Sequence, residues 1–151
     1  MAQTSTAYSA RNTVLEISTD GSSWTNISGS SSSVTPGDGT RLTGTAHTFD
    51  GDGPIITAGK LDAQESTISI LYTETSGEAY ETARAAFATA SSTLYVRSTP
   101  LGATTGNFRH TTGKGVITAF PQFAEIDAAS GDPMALEFTV QHPGWTKSTV
   151  P

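Results

Sequence analysis

The sequence predicts a mainly β protein with one α-helix and a long β-hairpin at its C-terminal end. Residues Met134–His142 alternate between apolar and polar side chains, the two-residue period of a strand with one buried face. Before them, Gly113–Ile126 is rich in strand-forming residues, and Ala128–Pro133 supplies a polar turn. The composition agrees, because Thr, Val, Ile and aromatic residues suit a pleated surface, while 15 Gly and 7 Pro supply turns.

Length and charge limit the possible classes of protein. The 151 residues suffice for one domain, and we expect a single domain over residues 13–151, preceded by an arm of residues 1–12. Charged residues make up 15% of the chain and the formal net charge is −6. Because gripping a nucleic acid requires a stripe of Lys and Arg, this balance disfavours a nucleic-acid-binding protein. No cysteine is present, which excludes disulfides and thiolate metal sites.

No segment of the sequence has the character of a membrane span or a signal peptide. The first eleven residues are polar, and no stretch approaches the roughly 18 apolar residues that cross a bilayer. We therefore expect no membrane insertion and no targeting.

The N-terminal part predicts an arm followed by a hairpin. Met1–Asn12 has little to bury apart from Tyr8, so we expect it to be disordered alone or to order against a neighbouring subunit. Thr13–Thr19 and Trp24–Ile27 flank a turn of Asp, Gly and Ser, the pattern of a β-hairpin. We expect Trp24 to lie in the core or to pack on the sheet rather than to bind a ligand.

The next segment is polar and rich in turn residues. Ser28–Ser33 and Thr35–Gly39 have almost nothing to bury and predict a mobile loop. Arg41–Phe49 and Ile55–Leu61 flank a turn of Asp, Gly and Pro and predict a two-stranded ribbon. Because an isolated polar ribbon is marginal in water, we expect residues 34–60 to be stabilised by contact with something else.

A strand, the helix and another strand follow. Gln64–Thr73 alternates as a strand does. Thr75–Glu78 has the spacing of a capping box, so we expect the helix Glu78–Ala90 to begin there, with one narrow apolar stripe. Thr93–Ser98 again has the pattern of a strand.

The sequence contains no recognisable catalytic or metal-binding motif. The three His residues lack a ligand spacing such as H-x-x-x-H. Asp50–Gly53 resembles the start of a calcium loop but lacks the bidentate Glu, which favours a plain turn. No nucleophile elbow, P-loop or dinucleotide fingerprint occurs. We expect neither an enzyme nor a cofactor.

The order of these elements resembles the major tail tube protein of bacteriophages with long, non-contractile tails. The resemblance depends on Val14–Ile27 with Trp24, on the strand from Gly59 to Tyr72, and on the hairpin Gly115–His142 with Gly131 and Asp132 at its tip. It covers most of the chain through patterns rather than through invariant residues.

The resemblance implies a β-sandwich or barrel flanked by one helix, similar in fold to the tube-forming protein of type VI secretion systems. It implies a structural subunit that closes into hexameric rings, which stack into a hollow tube for DNA passage into the host. The implied location is the tail of the virion, assembled in the host cytoplasm. Implied partners are other copies of the chain, the tape measure, tail tip and terminator proteins, and DNA that passes through the lumen without specific binding.

The resemblance also assigns roles to individual segments. The ribbon would reach the adjacent ring or subunit, the arm would order during assembly, and carboxylates beside the inner strands would line the lumen and repel phosphates. The candidates are Pro36, Gly37, Asp38, Arg41, His47, Phe49, Asp50 and Asp52 in the ribbon, Thr6, Tyr8 and Arg11 in the arm, and Asp62, Glu65, Glu125, Asp127 and Glu137 in the lumen.

Two other interpretations remain open at the level of sequence. One is an immunoglobulin-like module that decorates a capsid or binds a surface. The predicted helix counts against it, since such sandwiches usually lack one. The other is a tube protein of a secretion system, which differs from a phage tube only in what drives it.

Overall fold

The computed structural model describes residues 3–4 and 7–151. Its described part has one short 3₁₀ turn (Ala10–Asn12), one helix, α1 (Ala79–Ala88), and eleven strands. In chain order, the strands are β1 (Val14–Ser18), β2 (Thr25–Asn26), β3 (Ser31–Thr35), β4 (Arg41–Ala46), β5 (Ile55–Leu61), β6 (Gln64–Leu71), β7 (Thr93–Thr99), β8 (Phe108–Thr112), β9 (Gly115–Ala119), β10 (Ala135–His142) and β11 (Trp145–Thr149).

Nine of these strands form one antiparallel sheet, and β4 with β5 form a separate two-stranded ribbon. The sheet has two parts that share β7, which pairs with β1, β8 and β9. One part continues from β7 through β8 to β11 and carries β1 and β2. The other runs from β9 through β10 and β6 to β3. The expected mainly β architecture with one flanking helix is confirmed.

A single apolar cluster lies between the two parts of the sheet. Alternate side chains of β1, β6, β7, β9 and β10 point into it, which satisfies the period of two predicted for these strands. Its fully buried large side chains are Ile17, Ile27, Ile68, Ile70, Leu94, Val96, Phe138 and Val140. Removing such apolar surface from water is the main favourable contribution to the folding free energy.

The first hairpin forms as predicted, with β1 and β2 paired antiparallel. Its turn is held by Asp20, whose Oδ1 accepts hydrogen bonds from the backbone N–H groups of Ser22 (2.8 Å) and Ser23 (2.7 Å). These bonds hold the pKa of the Asp20 carboxyl well below its usual range. Trp24 packs on the sheet under the guanidinium of Arg97, whose carbon lies 4.1 Å from the indole ring centre.

Helix α1 buries Tyr80, Ala83 and Ala86 of the predicted stripe, together with Ala79, whereas Phe87 is half-buried and Ala90 is exposed beyond the end of the helix. The predicted capping box between Thr75 and Glu78 does not form, so that prediction is wrong. Glu78 is the N-terminal capping residue but makes no side-chain capping bond.

The hydroxyl of Thr75 instead contacts that of Thr73. The Oγ of Ser30, a residue distant in sequence, accepts the N–H of Ala79 (3.2 Å). Gly77, at φ +87°, bends the chain away from the geometry that the box requires.

The predicted mobile loop is also wrong in part, because Ser31–Thr35 is an edge strand. β3 pairs with β6 through Ser33 and Ser69, Val34 and Ile68, and Thr35 and Thr67. This strand is stabilised by backbone hydrogen bonds to β6 more than by side-chain burial. Its Ser-rich sequence therefore shows no apolar alternation from which a strand could be predicted. The separate ribbon therefore begins at Arg41, not at residue 34.

The C-terminal third differs most from the sequence prediction. The strand expected over Gly113–Ile126 ends at Ala119, where Phe120 turns into the core and stacks on Tyr80 and Phe87. Pro121 follows and cannot donate to a sheet ladder. Residues 120–134 are therefore a long connection, and β9 pairs with β10 only over Val116–Ala119. Strands β8 and β11, which pair with each other, had no sequence prediction.

Candidate assembly surfaces

The outer side of strands β3, β6, β9 and β10 forms a surface that we call the open face. It is made by the side chains that alternate with the core residues, and these are exposed or half-buried. The four strands contain no Lys or Arg. The open face comprises Ser33, Thr35, Glu65, Thr67, Ser69, Leu71, Val116, Thr118, Ala135, Glu137, Thr139 and Gln141.

Hydroxyl and carboxylate groups dominate the chemistry of the open face. Glu137 lies opposite Ser69, whose hydroxyl donates a 2.6 Å hydrogen bond to its carboxylate. Glu65 lies opposite Gln141 in the same ladder. A surface of this kind is well hydrated and offers no cation to a phosphate, so nucleic acid would not be retained on it.

The five predicted lumen carboxylates do not lie together. Glu65 and Glu137 are on the open face, on neighbouring strands. Asp62 is exposed in the turn between β5 and β6. Glu125 and Asp127, expected on or beside a strand, lie in the 120–134 connection because β9 ends early. The role of all five in a lumen stays a prediction.

The ribbon of β4 and β5 contacts solvent along its whole length. Each of its strand residues is exposed. Several are large and apolar, with exposed fractions of 56% for Leu42 and 68% for Ile56. Exposed apolar side chains on an isolated ribbon are typical of a surface that another molecule covers. Of the predicted contact residues, Arg41 is in β4, while His47, Phe49, Asp50 and Asp52 lie at or near the tip.

The base of the ribbon is held firmly to the sheet, and here lie Pro36, Gly37 and Asp38. A Cβ atom on Gly37 would overlap the backbone of Glu65, so this position accepts only glycine. The N–H of Gly37 donates to Ser66 Oγ (3.2 Å), and Ser66 Oγ lies 2.8 Å from His142 Nε2.

His142 Nδ1 accepts the N–H of Gly144 (3.1 Å). Nε2 of the neutral ring therefore carries the proton and donates to Ser66. Burial lowers the pKa of His142, which favours this neutral form.

The arm lies at the surface wherever the structure describes it. Tyr8 is 74% exposed and Arg11 is exposed within the short 3₁₀ turn. Thr6, the third predicted contact residue of the arm, lies outside the described residues. That the arm orders during assembly stays a prediction.

The 120–134 connection carries a second apolar surface that sequence reasoning missed. Phe123, Ile126 and Met134 are exposed and, with Tyr72, line a shallow cavity of about 310 Å³. Phe123 and Ile126 had been placed in the predicted strand Gly113–Ile126, so their exposure was not expected, and the signal against that strand was Pro121, which cannot donate to a sheet ladder.

Neither a metal site nor a membrane span is found in the part of the chain that the structure describes. Its His, Asp and Glu side chains do not cluster in threes as metal ligands would. Its helix is too short to traverse a bilayer.

Comparison with known proteins identifies the fold through structure alone. The sequence matches no protein-family model and no curated protein. The structure is similar to a chain of the PVC sheath–tube complex of an extracellular contractile injection system in its extended state, with a TM-score of 0.74 and 11% identity over 97% of this chain and 94% of that one.

Two further solved structures agree. A chain from the tube-terminating cap of the anti-feeding prophage (AFP) has a TM-score of 0.71 and 14% identity over 99% of this chain and 95% of that one. A chain from the tail of an empty GTA particle has a TM-score of 0.64 and 11% identity over 96% of this chain and all of that one. The chain has a tail-tube-like fold.

Within this tail-tube-like fold, alternation along β6 and β10 was enough to place Glu137, Thr139 and Gln141 on one exposed face. Ser33 and Thr35 were missed because β3 was taken for a loop. A run of small hydroxyl residues between turns gives no signal that separates an edge strand from a linker.

Proposed function

We propose that the protein is the structural subunit of a tail tube, in a phage with a long, non-contractile tail. Copies close into hexameric rings, the rings stack, and DNA passes through the channel into the host. The tail of the virion is then its location, after assembly in the host cytoplasm. The tape measure, tail tip and terminator proteins are its further partners.

The observation that carries the proposal is the open face within a tail-tube-like fold. A conduit for DNA requires an inner wall without cations, and the open face, which carries mostly hydroxyl groups with Glu65 and Glu137, supports the assignment of β3, β6, β9 and β10 to that wall. The exposed ribbon and the unpaired edges of β3 and β11 supply surfaces for contact between copies. The GTA tail with C6 symmetry supports six copies per ring.

The proposed role requires no catalysis. A tube wall acts through its shape and charge, and the conspicuous features of this chain are surfaces rather than a reactive cluster. We accordingly propose a non-enzymatic, cofactor-free protein.

A second candidate is the tube of a contractile injection particle. It is favoured by the similarity to the sheath–tube complex and to the tube-terminating cap. The two candidates share the tube and differ in whether a sheath surrounds it.

The test is electron microscopy of the purified protein, concentrated at physiological salt. We expect uniform hollow filaments with a regular axial repeat and six subunits per ring. A protein that stays monomeric at high concentration, even when tail-tip complexes are added as nuclei, would overturn the proposal. Particles from the producing cell then separate the candidates, because a contractile system shows a sheath around the tube.

A further inference from the structure

The hairpin of β8 and β11 presents an aromatic and basic face. Cross-strand pairing places His110 opposite Lys147, and side chains alternate, so Phe108, His110, Trp145 and Lys147 share one side. The Nζ atom of Lys147 lies 3.5 Å from the centre of the Phe108 ring. Phe108 is itself 52% exposed. We call this side the hairpin face.

A cavity of about 310 Å³ opens beside the hairpin face. Val34, Pro36, Ser98, His110 and Trp145 line it, so its wall is mostly apolar. The Nε1 atom of Trp145 is buried and, within the described residues, has no hydrogen-bond partner. The mostly apolar wall favours an apolar side chain as the occupant, whereas the indole N–H, which has almost no accessible surface, is not offered to it.

The tip of the ribbon has the complementary chemistry. Phe49 is fully exposed, with a relative accessibility of 113%. Asp50 and Asp52 follow it, and residues 48–54 contain no Lys or Arg. The tip thus combines one large aromatic ring with two carboxylates.

The charges around the hairpin face match this tip. Lys147 lies on the hairpin face, Arg109 lies on the opposite side of the same hairpin, and neither residues 99–124 nor residues 138–151 contain an Asp or Glu. The hairpin itself therefore presents no like charge to an acidic segment, and Asp38, two residues after Pro36, is the carboxylate closest in sequence to the cavity wall. The 120–134 connection, the other apolar surface, carries Glu125, Asp127 and Asp132 and would repel the tip.

The tip that docks here must come from another copy. Pro36 lines the cavity and lies just before the ribbon, whose pairing continues from Arg41 and Leu61 to Ala46 and Ile55. The five steps from Arg41 to Ala46 of antiparallel strand span roughly 17 Å, so the tip is carried well away from the cavity of its own chain.

We propose that the ribbon tip of one copy docks on the hairpin face of a second copy, with Phe49 in the cavity and Asp50 and Asp52 beside Lys147. This inference rests on the proposed function, because it names the surface that receives the ribbon in the tube. It adds the receiving residues and the chemistry of the contact.

Cross-linking between copies tests the contact directly, because the native chain has no cysteine. Gly51→Cys places a thiol between the two carboxylates while leaving Phe49 and both Asp residues in place. Thr149→Cys places one on the hairpin face, and Ser148→Cys, its neighbour, places one on the opposite side of β11. With a short bis-maleimide, we expect Gly51→Cys to couple to Thr149→Cys at least about fivefold more than to Ser148→Cys.

A charge exchange tests the chemistry of the contact. Replacing Asp50 and Asp52 by Lys, or Lys147 by Glu, should each raise the protein concentration needed for assembly about tenfold. Combining the two changes should restore most of the loss, which a general loss of folding would not allow.

The outcomes separate this inference from the proposed function. Tubes that form while the two cysteine positions couple equally, and while the charge exchange restores nothing, overturn the docking surface and leave the tube. Selective coupling in a protein that never forms tubes supports the contact and overturns the tube. If Thr149→Cys couples to Tyr8→Cys and not to Gly51→Cys, the cavity binds the arm, and the inference is overturned.

Discussion

His142 joins three parts of the chain through its two ring nitrogens. One nitrogen lies against Ser66, which also holds Gly37 at the base of the ribbon, and the other accepts the N–H of Gly144 after β10. The imidazole ring also contacts the Trp145 indole edge-on, with 5.4 Å between the two ring centres. A proton on Nδ1 would oppose the Gly144 N–H, so protonation breaks this arrangement.

We predict that the protein becomes less stable as the pH decreases, because His142 is protonated more easily in the unfolded chain. The unfolded chain binds a proton at His142 near the ordinary pKa of 6.5, whereas burial lowers the pKa in the folded state. Below pH 6.5 the unfolded state therefore binds more protons, and stability declines until the folded pKa is reached. Urea unfolding of dilute protein, followed by tryptophan fluorescence between pH 7.5 and 5, should show a falling midpoint.

His142→Gln should flatten that dependence, and His47→Gln, at an exposed position near the ribbon tip, should leave it unchanged. A wild-type midpoint that stays level from pH 7.5 to 5 would contradict the assignment.

Ser30 is the second residue with a role that its own segment does not suggest. We predict that Ser30→Ala lowers the free energy of unfolding by about 1 kcal/mol, because the N–H of Ala79 at the start of α1 loses its acceptor. Thr75→Ala is the matched control, since Thr75 would be the capping residue on sequence grounds. It should change stability by less than about 0.5 kcal/mol. A larger loss in Thr75→Ala than in Ser30→Ala would reinstate the capping box.

At the scale of elements, the ribbon is separable from the core. Replacing residues 43–58 by Asn-Gly joins β4 to β5 through a tight turn. Since every ribbon strand residue is exposed, we predict a change of less than about 1 kcal/mol in the free energy of unfolding, together with loss of tube formation. Phe138→Ala, in the core, should cost about 3–5 kcal/mol for comparison.

Denaturation and electron microscopy of the same samples measure both effects. A shortened protein that still forms regular tubes would show that the ribbon is not the contact between rings.

Elements with strong side-chain patterns were predictable from the sequence, and elements made by backbone pairing alone were not. β6, β7, β10 and the apolar stripe of α1 each show a period that burial imposes. β3 and β11 are edge strands with few core residues, so their sequences resemble those of loops. The end of β9 depended on Phe120 turning into the core, a tertiary contact that no local pattern reports.

The candidate surfaces divide in the same way. The ribbon and the carboxylates of β6 and β10 could be named from the sequence, because polarity at alternate positions shows there. The hairpin face could not, since it requires the pairing of β8 with β11 and the approach of Val34 from a distant segment.

At the scale of the whole molecule, charge placement matters more than net charge. We predict that Thr67→Lys combined with Thr139→Lys leaves tubes intact but slows DNA ejection, because cations on the open face bind phosphates. The slowing should weaken at higher salt. Ala85→Lys, on the exposed side of α1, is the control and should have no effect. The measurement is the rate of DNA release from particles carrying each variant.

Equal release rates for the double variant and the control would place the open face away from the DNA. Slower release with both would indicate a general effect of added charge on assembly.

The exposed ribbon also limits the lifetime of the unassembled chain in the presence of proteases. Arg41 and Lys60 are exposed near the base of the ribbon, within strands β4 and β5, so a protease would cut there when the pairing of the isolated ribbon opens. A trypsin-like enzyme would excise the segment between them and leave a core that can no longer be built into a tube. In the proposed tube, copies whose ribbons are covered by neighbouring copies would escape digestion, so a protease would remove surplus subunits and spare assembled ones.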